Sequence, residues 1–447
     1  MTTPISNSRH SEFKQRVHSV PELREIAKRK QFFIVGGSLG VIGLFQILSI
    51  VNVFRDVRPG VVCSAVLAFL IVATASRFLS ILFHRLNTLF IAFLVVQLFS
   101  ILNYAVNPLV LRYIESHPET LPMVFSYLII PCVFFYTAGV AIGGDRALTK
   151  QTLNFVALTA LFCIASGILL QLTIPTFYVQ YLLRILSNNV SLLPRMSGYL
   201  GISMLMGAIC ATSVPLVWKI PTTVERRVLG VAICVAGSFL TLQRGSMTAT
   251  LFVIASILVY SLRRHGVRAI SGNSRPIGVL AIVFLAIGTL LTDRIVELQQ
   301  RFSVLGPEIT SRAISFDSMI NERSFQWEAV REVLGEYPLG LGIGMMSHVT
   351  AAAGFPLAIP DGNYFRILGE LGPQGFTVFI ALLVMTLLRA IRHKKMEVML
   401  AILAYMLMAV GTNVFDFYYS GFVFWLLVGI AQSQYVSPKP ERAFTPA

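Results

Sequence analysis

Long uncharged apolar stretches alternate with short polar segments along most of the chain. A helix that crosses a bilayer needs about 20 mostly apolar residues, and twelve stretches approach that length: 31–54, 59–76, 88–106, 123–143, 152–173, 198–217, 228–243, 246–262, 277–292, 374–391, 398–415 and 417–434. The seventh and eighth are short and nearly continuous, so they fit two spans, one long helix or a re-entrant pair. The pattern predicts an all-α, polytopic transmembrane helix bundle with about 12 spans.

The polar segments between these stretches divide the chain into five parts. We expect an N-terminal tail (1–30), transmembrane helices 1–9 (31–292), a large loop (293–373), transmembrane helices 10–12 (374–434) and a C-terminal tail (435–447). A structureless loop as long as 293–373 is uncommon, so we expect it to contain short helices and to carry function. In the first span, the Gly36-x-x-x-Gly40 step is typical of a helix-packing contact.

The distribution of charge orients the predicted spans. With the N-terminus inside, most of the 36 Lys and Arg residues lie on the cytoplasmic side, while most of the 21 Asp and Glu residues lie outside. This is the bias of the positive-inside rule. The net charge of +15 therefore indicates topology and contact with anionic lipid headgroups, and not nucleic-acid binding.

Composition narrows the class of protein further. Of the 447 residues, 55% are hydrophobic and only 13% are charged, which excludes a soluble enzyme and a disordered chain. The five cysteines fall in apolar stretches without a CxxC motif or a His/Cys cluster, so neither disulfides nor a metal site are expected. No Asp, Glu, Lys or His lies in the middle of a predicted span, which argues against an ion-coupled transporter.

Four arginines lie on the predicted outer side: Arg195, Arg244, Arg323 and Arg366. An arginine near the membrane has a cost unless it pairs or faces water. One interpretation is that these side chains snorkel to lipid phosphates. The other is a guanidinium cluster that binds a phosphate ligand in bidentate fashion, with Gly245 allowing the ligand close approach to Arg244.

The large loop contains two predicted helices. In the first, Ser324 is the expected cap and Gly335 ends the helix. It has two apolar stripes, one of Phe325, Ala329 and Val333 and one of Trp327, Val330 and Leu334. The sequence LGLGIG follows, and lacks the strand–turn–helix context of a dinucleotide loop, so it is interpreted as a glycine-rich turn against the membrane.

The second predicted helix has the sequence DGNYFRILGELG and ends at Gly372 and Pro373. Asp361 or Asn363 is expected to cap it. Arg366 and Glu370 are four residues apart, the spacing of a surface ion pair on one helix face.

In order along the chain, four segments then carry a resemblance to a known family: RMSGYLGISM, LTLQRGSMTA, RSFQWEAVREVLGEYPLGLGIG and DGNYFRILGELGPQGF. Together they resemble the O-antigen polymerase and O-antigen ligase superfamily of bacterial membrane glycosyltransferases. The resemblance covers roughly residues 150–390. The span count and the position of the large loop agree with it over the whole chain.

This resemblance implies a multi-pass protein of the bacterial inner membrane, with both termini cytoplasmic and a periplasmic large loop. The implied substrate is an oligosaccharide on polyprenyl (undecaprenyl) diphosphate, and the implied reaction is metal-independent, cofactor-free glycosyl transfer to an acceptor hydroxyl. Arg244 and Arg323, with Arg195 before the sixth span, correspond to family arginines that neutralise the leaving diphosphate. We add Arg366 as a further candidate diphosphate ligand. A chain-length regulator and a flippase are the partners expected from the resemblance.

The chain departs from the ligases of this superfamily at one place. Ligases usually carry a His-Asn pair at the start of the final loop helix, where this chain has Asp361 and Gly362, and His348 lies too far upstream to match. An aspartate can act as general base where its surroundings raise its pKa, so Asp361 is the candidate base. We therefore expect a polysaccharide polymerase; the alternatives are an O-antigen ligase, a non-catalytic flippase or exporter of lipid-linked sugar, and a structural scaffold.

Overall fold

A computed structural model describes a bundle of helices. The described residues are 87–173, 196, 203–241, 243–265, 316–347, 350, 355–358, 362–415 and 418–434. Within these ranges the backbone forms helices, turns and bends and no strand. The all-α class predicted from the apolar pattern is therefore confirmed for this part of the chain.

Thirteen α-helices are assigned in the described residues. In chain order they are α1 (Thr88–Ser100), α2 (Asn103–Val106), α3 (Pro108–Ser116), α4 (Thr120–Val124), α5 (Ile130–Gly143), α6 (Arg146–Thr173), α7 (Ser203–Trp218), α8 (Val224–Leu240), α9 (Arg244–His265), α10 (Phe316–Glu336), α11 (Asn363–Arg392), α12 (Met396–Ala409) and α13 (Tyr418–Gln432). A π-helical turn, Phe125–Ile129, joins α4 to α5. Nine of the predicted spans fall on these helices, while 31–54, 59–76 and 277–292 lie outside the described residues.

Among the described residues, three helical segments are long and apolar enough to cross a membrane: Thr88–Val106, which comprises α1 and α2, Arg146–Leu169 within α6, and Asn363–Arg392, which is α11. Five shorter apolar helices accompany them. Large apolar side chains remain exposed on the outside of the bundle, among them Phe162 and Leu169 on α6 and Leu388 on α11. Apolar helices with an apolar outer surface indicate a membrane-embedded protein.

The seventh and eighth apolar stretches form two separate helices, α8, which ends at Leu240, and α9, which begins at Arg244. The interpretation as one long helix is therefore wrong. The two helices contact each other, because Ser238 on α8 shares a hydrogen bond of 2.7 Å with Ser246 on α9. Both also pack against α7.

Among the described helices, α5 and α13 pack closely together, and they meet through glycines. A Cβ at Gly139 would lie 2.3 Å from the carbonyl oxygen of Leu426, and one at Gly429 would lie 2.1 Å from that of Tyr136. Gly143 makes a third such contact one turn after Gly139. Small residues four apart let two backbones approach this closely. Around this pair the core is aromatic, with Phe90 stacked on Tyr136 at a ring distance of 3.5 Å.

One end of the bundle is defined by Lys395, between α11 and α12. Its ammonium group is buried and donates hydrogen bonds to the carbonyl oxygens of Gly143 (3.0 Å), Ile430 (2.7 Å) and Ser433 (2.8 Å). A cation is favourable at the carboxyl end of a helix, where carbonyl groups lack intrahelical donors. These bonds show that α5, α11 and α13 end, and α12 begins, at the same end of the bundle. We call it the basic end, after Arg389, Arg392, Lys394 and Lys395.

The helices of the predicted large loop differ in detail from expectation. The first, α10, begins at Phe316, so Ser324 lies inside it and the prediction that Ser324 caps it is wrong. Val330 and Val333 are buried, but Trp327, predicted in the apolar stripe, is 55% exposed and meets Phe365 edge to face at 4.5 Å. A sequence stripe marks one helix face, but the neighbour determines how much of that face is covered.

The second loop helix continues into a membrane-spanning one. α11 runs through Asn363–Arg392 with a single non-helical residue, Gly372 (φ 67°, ψ 179°), followed by Pro373. The predicted break at Gly372 and Pro373 is thus confirmed as an interruption within one long element. Gly362 is the residue before the first turn, and Asn363 does not cap the helix, because its Oδ1 accepts a hydrogen bond from the Phe415 amide at 3.0 Å.

Candidate functional site

Arg244 is the first residue of α9 and is half-buried. The residues on either side of it in the chain are fixed by hydrogen bonds to α7. Ser246 Oγ donates to the carbonyl oxygen of Gly207 on α7 at 2.8 Å, and Gln243 Nε2 donates to Ser203 Oγ at 3.3 Å. Arg244 is therefore held where the start of α7, the end of α8 and the start of α9 meet.

The amino end of a helix is an unusual place for an arginine. The helix dipole disfavours a cation there by about 0.3–1 kcal/mol, and the first-turn amides lack intrahelical acceptors. Guanidinium and amides together attract an anion. A Cβ at Gly245 would meet no atom within 4 Å, so the described part of the chain leaves this side of the α9 start open. The arrangement is suited to a phosphate-bearing ligand.

The other predicted site residues are described only in part. Arg195 and Asp361 lie outside the described residues, as does His348. Met196, which follows Arg195 in the chain, is buried, and its amide donates to the carbonyl oxygen of Leu240 at 2.9 Å. Met196 thus lies beside the last residue of α8, and α9 begins with Arg244 shortly after that residue in the chain. Arg323 lies on α10, and its side chain is outside the described part.

The LGLGIG segment is a tight turn packed between α11 and α1–α2. Gly340, Gly342 and Gly344 all have positive φ values, of 85°, 101° and 83°, which favour glycine. The Gly342 amide donates to the carbonyl oxygen of Glu370 at 2.9 Å, and the Ile343 amide donates to Ser100 Oγ at 3.0 Å. The glycine-rich turn is therefore confirmed, and it packs on α1 and α11; its contact with the membrane stays a prediction.

Arg366 and Glu370 form the predicted ion pair, but they form it inside the protein. Arg366 Nη1 lies 2.6 Å from Glu370 Oε2, and the two side chains are only 6% and 1% exposed. The expectation of a surface pair is therefore wrong. The second carboxylate oxygen, Oε1, accepts a hydrogen bond from the Met346 amide at 3.0 Å. Glu370 thus joins Arg366 to the glycine-rich turn.

The space beside this pair is small. Phe93, Gln97 and Ile343, with the pair itself, line a cavity of about 30 Å³. A cavity of that size has room for a water molecule and not for a sugar ring. In this conformation Arg366 therefore supports the turn, and its place in the structure differs from that of Arg244 at an open helix end.

Glu370 is the residue whose position the sequence pattern did not reveal. Its neighbour Gly369 gives a signal in retrospect, because a Cβ there would lie 2.2 Å from Met346 Sδ. Glycines on either side of an acidic residue, as in LGELG, indicate close backbone approach as well as a helix end.

Comparison with other proteins does not assign this chain to a family. No protein-family model matches the sequence, and a comparison with curated proteins finds no significant match.

Proposed function

We propose that this chain is a polysaccharide polymerase of the bacterial inner membrane, with cytoplasmic termini and its large loop in the periplasm. It transfers a growing glycan from polyprenyl diphosphate to a sugar hydroxyl of the next lipid-linked repeat unit. The proposal starts from the O-antigen polymerase resemblance. The observation that carries it is Arg244, a half-buried arginine in the first turn of α9, beside a glycine whose Cβ position has space around it.

The reaction requires charge stabilisation at one oxygen and proton removal at another. The acceptor hydroxyl oxygen forms a bond to the anomeric carbon while the bond from that carbon to the diphosphate oxygen breaks. The hydroxyl proton passes to Asp361 as general base. Arg195, Arg244 and Arg323 neutralise the departing lipid diphosphate. Direct attack inverts the anomeric carbon.

The departure from the ligase pattern at Asp361 and Gly362 is the reason to propose a polymerase, and the backbone at Gly362 suits the glycine found there. This glycine stands where the ligases carry the Asn of their His-Asn pair, and its backbone has φ 90° and ψ 97°. A Cβ there would lie 2.8 Å from Phe365 Cδ2 and 3.2 Å from the Val410 carbonyl oxygen. An asparagine side chain is disfavoured by both the backbone and the space.

The test is a gel of surface glycan from a strain in which the native gene is replaced by variants. Arg244→Ala should abolish the polymer ladder and leave a single repeat unit, with protein levels unchanged. Arg244→Lys should restore part of it, because lysine keeps the charge but not the bidentate geometry. Arg331→Ala is the matched control, since Arg331 is an exposed arginine on α10 outside the proposed site.

Three results would count against the proposal. A normal ladder from Arg244→Ala would show that Arg244 is not needed to bind the leaving diphosphate. Loss of all glycan from lipid A core, with polymer accumulating on the polyprenyl carrier, would indicate a ligase. Translocation of lipid-linked sugar by the purified protein in vesicles, without formation of a glycosidic bond, would indicate a flippase.

A further inference from the structure

A second polar cavity lies at the basic end, opposite to the end where α11 begins. It has a volume of about 440 Å³, and its polar lining consists of Arg389, Arg392, His393, Gln432, Ser433 and Gln434. None of the described residues that line it is acidic. The cavity is more than ten times larger than the one beside Arg366 and is large enough for a phosphate-bearing group.

The guanidinium of Arg389 is fixed in position by a buried network. Its Nη1 donates to Gln432 Oε1 at 2.7 Å. Gln432 is itself fixed, because its Nε2 donates to Thr386 Oγ1 at 2.6 Å and its Oε1 also accepts from Asn87 Nδ2 at 2.8 Å. Fixing a cation in advance lowers the entropic cost of binding an anion.

The cavity has a positive electrostatic environment. Burial lowers the pKa of His393, and the nearby charges of Lys395, Arg392 and Arg389 lower it further. The neighbouring carboxylate of Asp145 accepts hydrogen bonds from the amides of Ala147 and Leu148 at the start of α6. Cations gathered in a cavity without a lining carboxylate favour an anionic ligand.

An apolar surface adjoins these cations on the same helix. Leu388 and Ile391 neighbour Arg389 and Arg392 on α11, and both are 54% exposed. Val384, one turn before Leu388, is 46% exposed and extends the strip towards the middle of the bundle. A phosphate pocket beside an exposed apolar strip matches the shape of a phospholipid, with its headgroup in the pocket and its acyl chain along the helix.

We propose that this cavity binds the phosphate of an anionic phospholipid from the leaflet at the basic end, with Arg389 and Arg392 as its ligands. By the positive-inside rule this is the cytoplasmic leaflet. The site is separate from the proposed glycan chemistry and does not depend on it.

The experiment compares lipid binding by the full chain in nanodiscs of phosphatidylcholine that contain a minor fraction of phosphatidylglycerol. Retained lipid is counted by native mass spectrometry. Wild-type protein should keep phosphatidylglycerol in preference to phosphatidylcholine, and Arg389→Gln/Arg392→Gln should lower that preference about tenfold, as expected for loss of charge-assisted hydrogen bonds.

Lys219→Gln/Arg226→Gln is the matched control. It removes two exposed cations that lie on the same side in the predicted topology, and it should keep the preference. The single variant Arg392→Gln changes an exposed side chain and should lower the preference even if the double variant fails to fold.

Three outcomes would overturn the proposal. If both cavity variants keep the preference for phosphatidylglycerol, Arg389 and Arg392 do not form a lipid site. An equal loss in the control would reduce the effect to general surface charge. Inorganic phosphate that displaces phosphatidylglycerol, or that stabilises the protein equally well in pure phosphatidylcholine, would indicate a free phosphate ligand.

Discussion

The buried pair of Arg366 and Glu370 allows a quantitative test of whether Arg366 acts on the substrate or on the fold. Arg366→Met would remove the guanidinium that lies 2.6 Å from the Glu370 carboxylate, which is 1% exposed. Removing one partner of a buried pair costs about 3–5 kcal/mol of unfolding free energy. Glu370→Gln should cost less, because an amide oxygen can still accept the hydrogen bond of the Met346 amide.

The double variant Arg366→Met/Glu370→Leu separates pairing from charge. Replacing a buried ion pair by apolar side chains of similar volume is often nearly neutral, so the double variant should be more stable than Arg366→Met alone. Unfolding in detergent, followed by circular dichroism with rising denaturant, measures each free energy and the coupling between the two sites.

The stability of the variants and the polymer they make together decide between the roles of Arg366. If Arg366→Met is as stable as wild type, or the two substitutions are additive, the pair does not hold the glycine-rich turn. If the double variant is stable but makes no polymer, Arg366 is a diphosphate ligand, as we propose for it from its place among the outer arginines. If it makes normal polymer, the diphosphate contacts are left to the other arginines.

Three further predictions concern single positions. Gly245→Leu should abolish polymer without loss of stability, because the leucine fills the open space beside the start of α9. Gly335→Leu, at an equally open position, is the control and should leave the ladder normal. A normal ladder from both variants would show that no ligand approaches the chain at Gly245. Gly342→Ala should lower the free energy of unfolding by about 2–4 kcal/mol, because φ is 101° and the new Cβ would lie 2.3 Å from Tyr104 Cε1. A denaturation midpoint equal to that of the wild type would contradict this prediction. Burial lowers the pKa of Lys395 to about 8 from its ordinary 10.5, so between these pH values the unfolded chain binds more protons than the folded protein. The free energy of unfolding should therefore rise with pH in the wild type, relative to Lys395→Met. Parallel pH profiles of the two proteins would refute this.

The apolar pattern predicted the elements well where the signal is local. Predicted span 374–391 lies within α11, and the break at Gly372 and Pro373 was readable because proline and glycine act on their own backbone. The start of α10 at Phe316 was not readable, since Ser324 is a good cap in isolation but residues before it continue the helix. Local preference gives way when the preceding residues extend the helix.

Long-range contacts explain most of what the sequence did not reveal. The spacing of Arg366 and Glu370 predicted their bond but not their burial, because the glycine-rich turn that covers them comes from another segment. In the sequence, Lys395 was one of several cations on the predicted cytoplasmic side, and only the fold distinguishes it as the donor to two helix ends. The step from Gly139 to Gly143 has the same spacing as Gly36 to Gly40, and the structure describes its contact with α13.

The glycine contact between α5 and α13 has a mechanical consequence. Their backbones touch at Gly139 and Gly429, and Lys395 fastens the ends of both helices. A rotation or slide of one helix past the other would drive backbone into backbone, so the two move as a single strut. Any large rearrangement of the described helices would therefore leave this pair intact, and Gly372 is the residue of α11 at which the helical backbone is already interrupted.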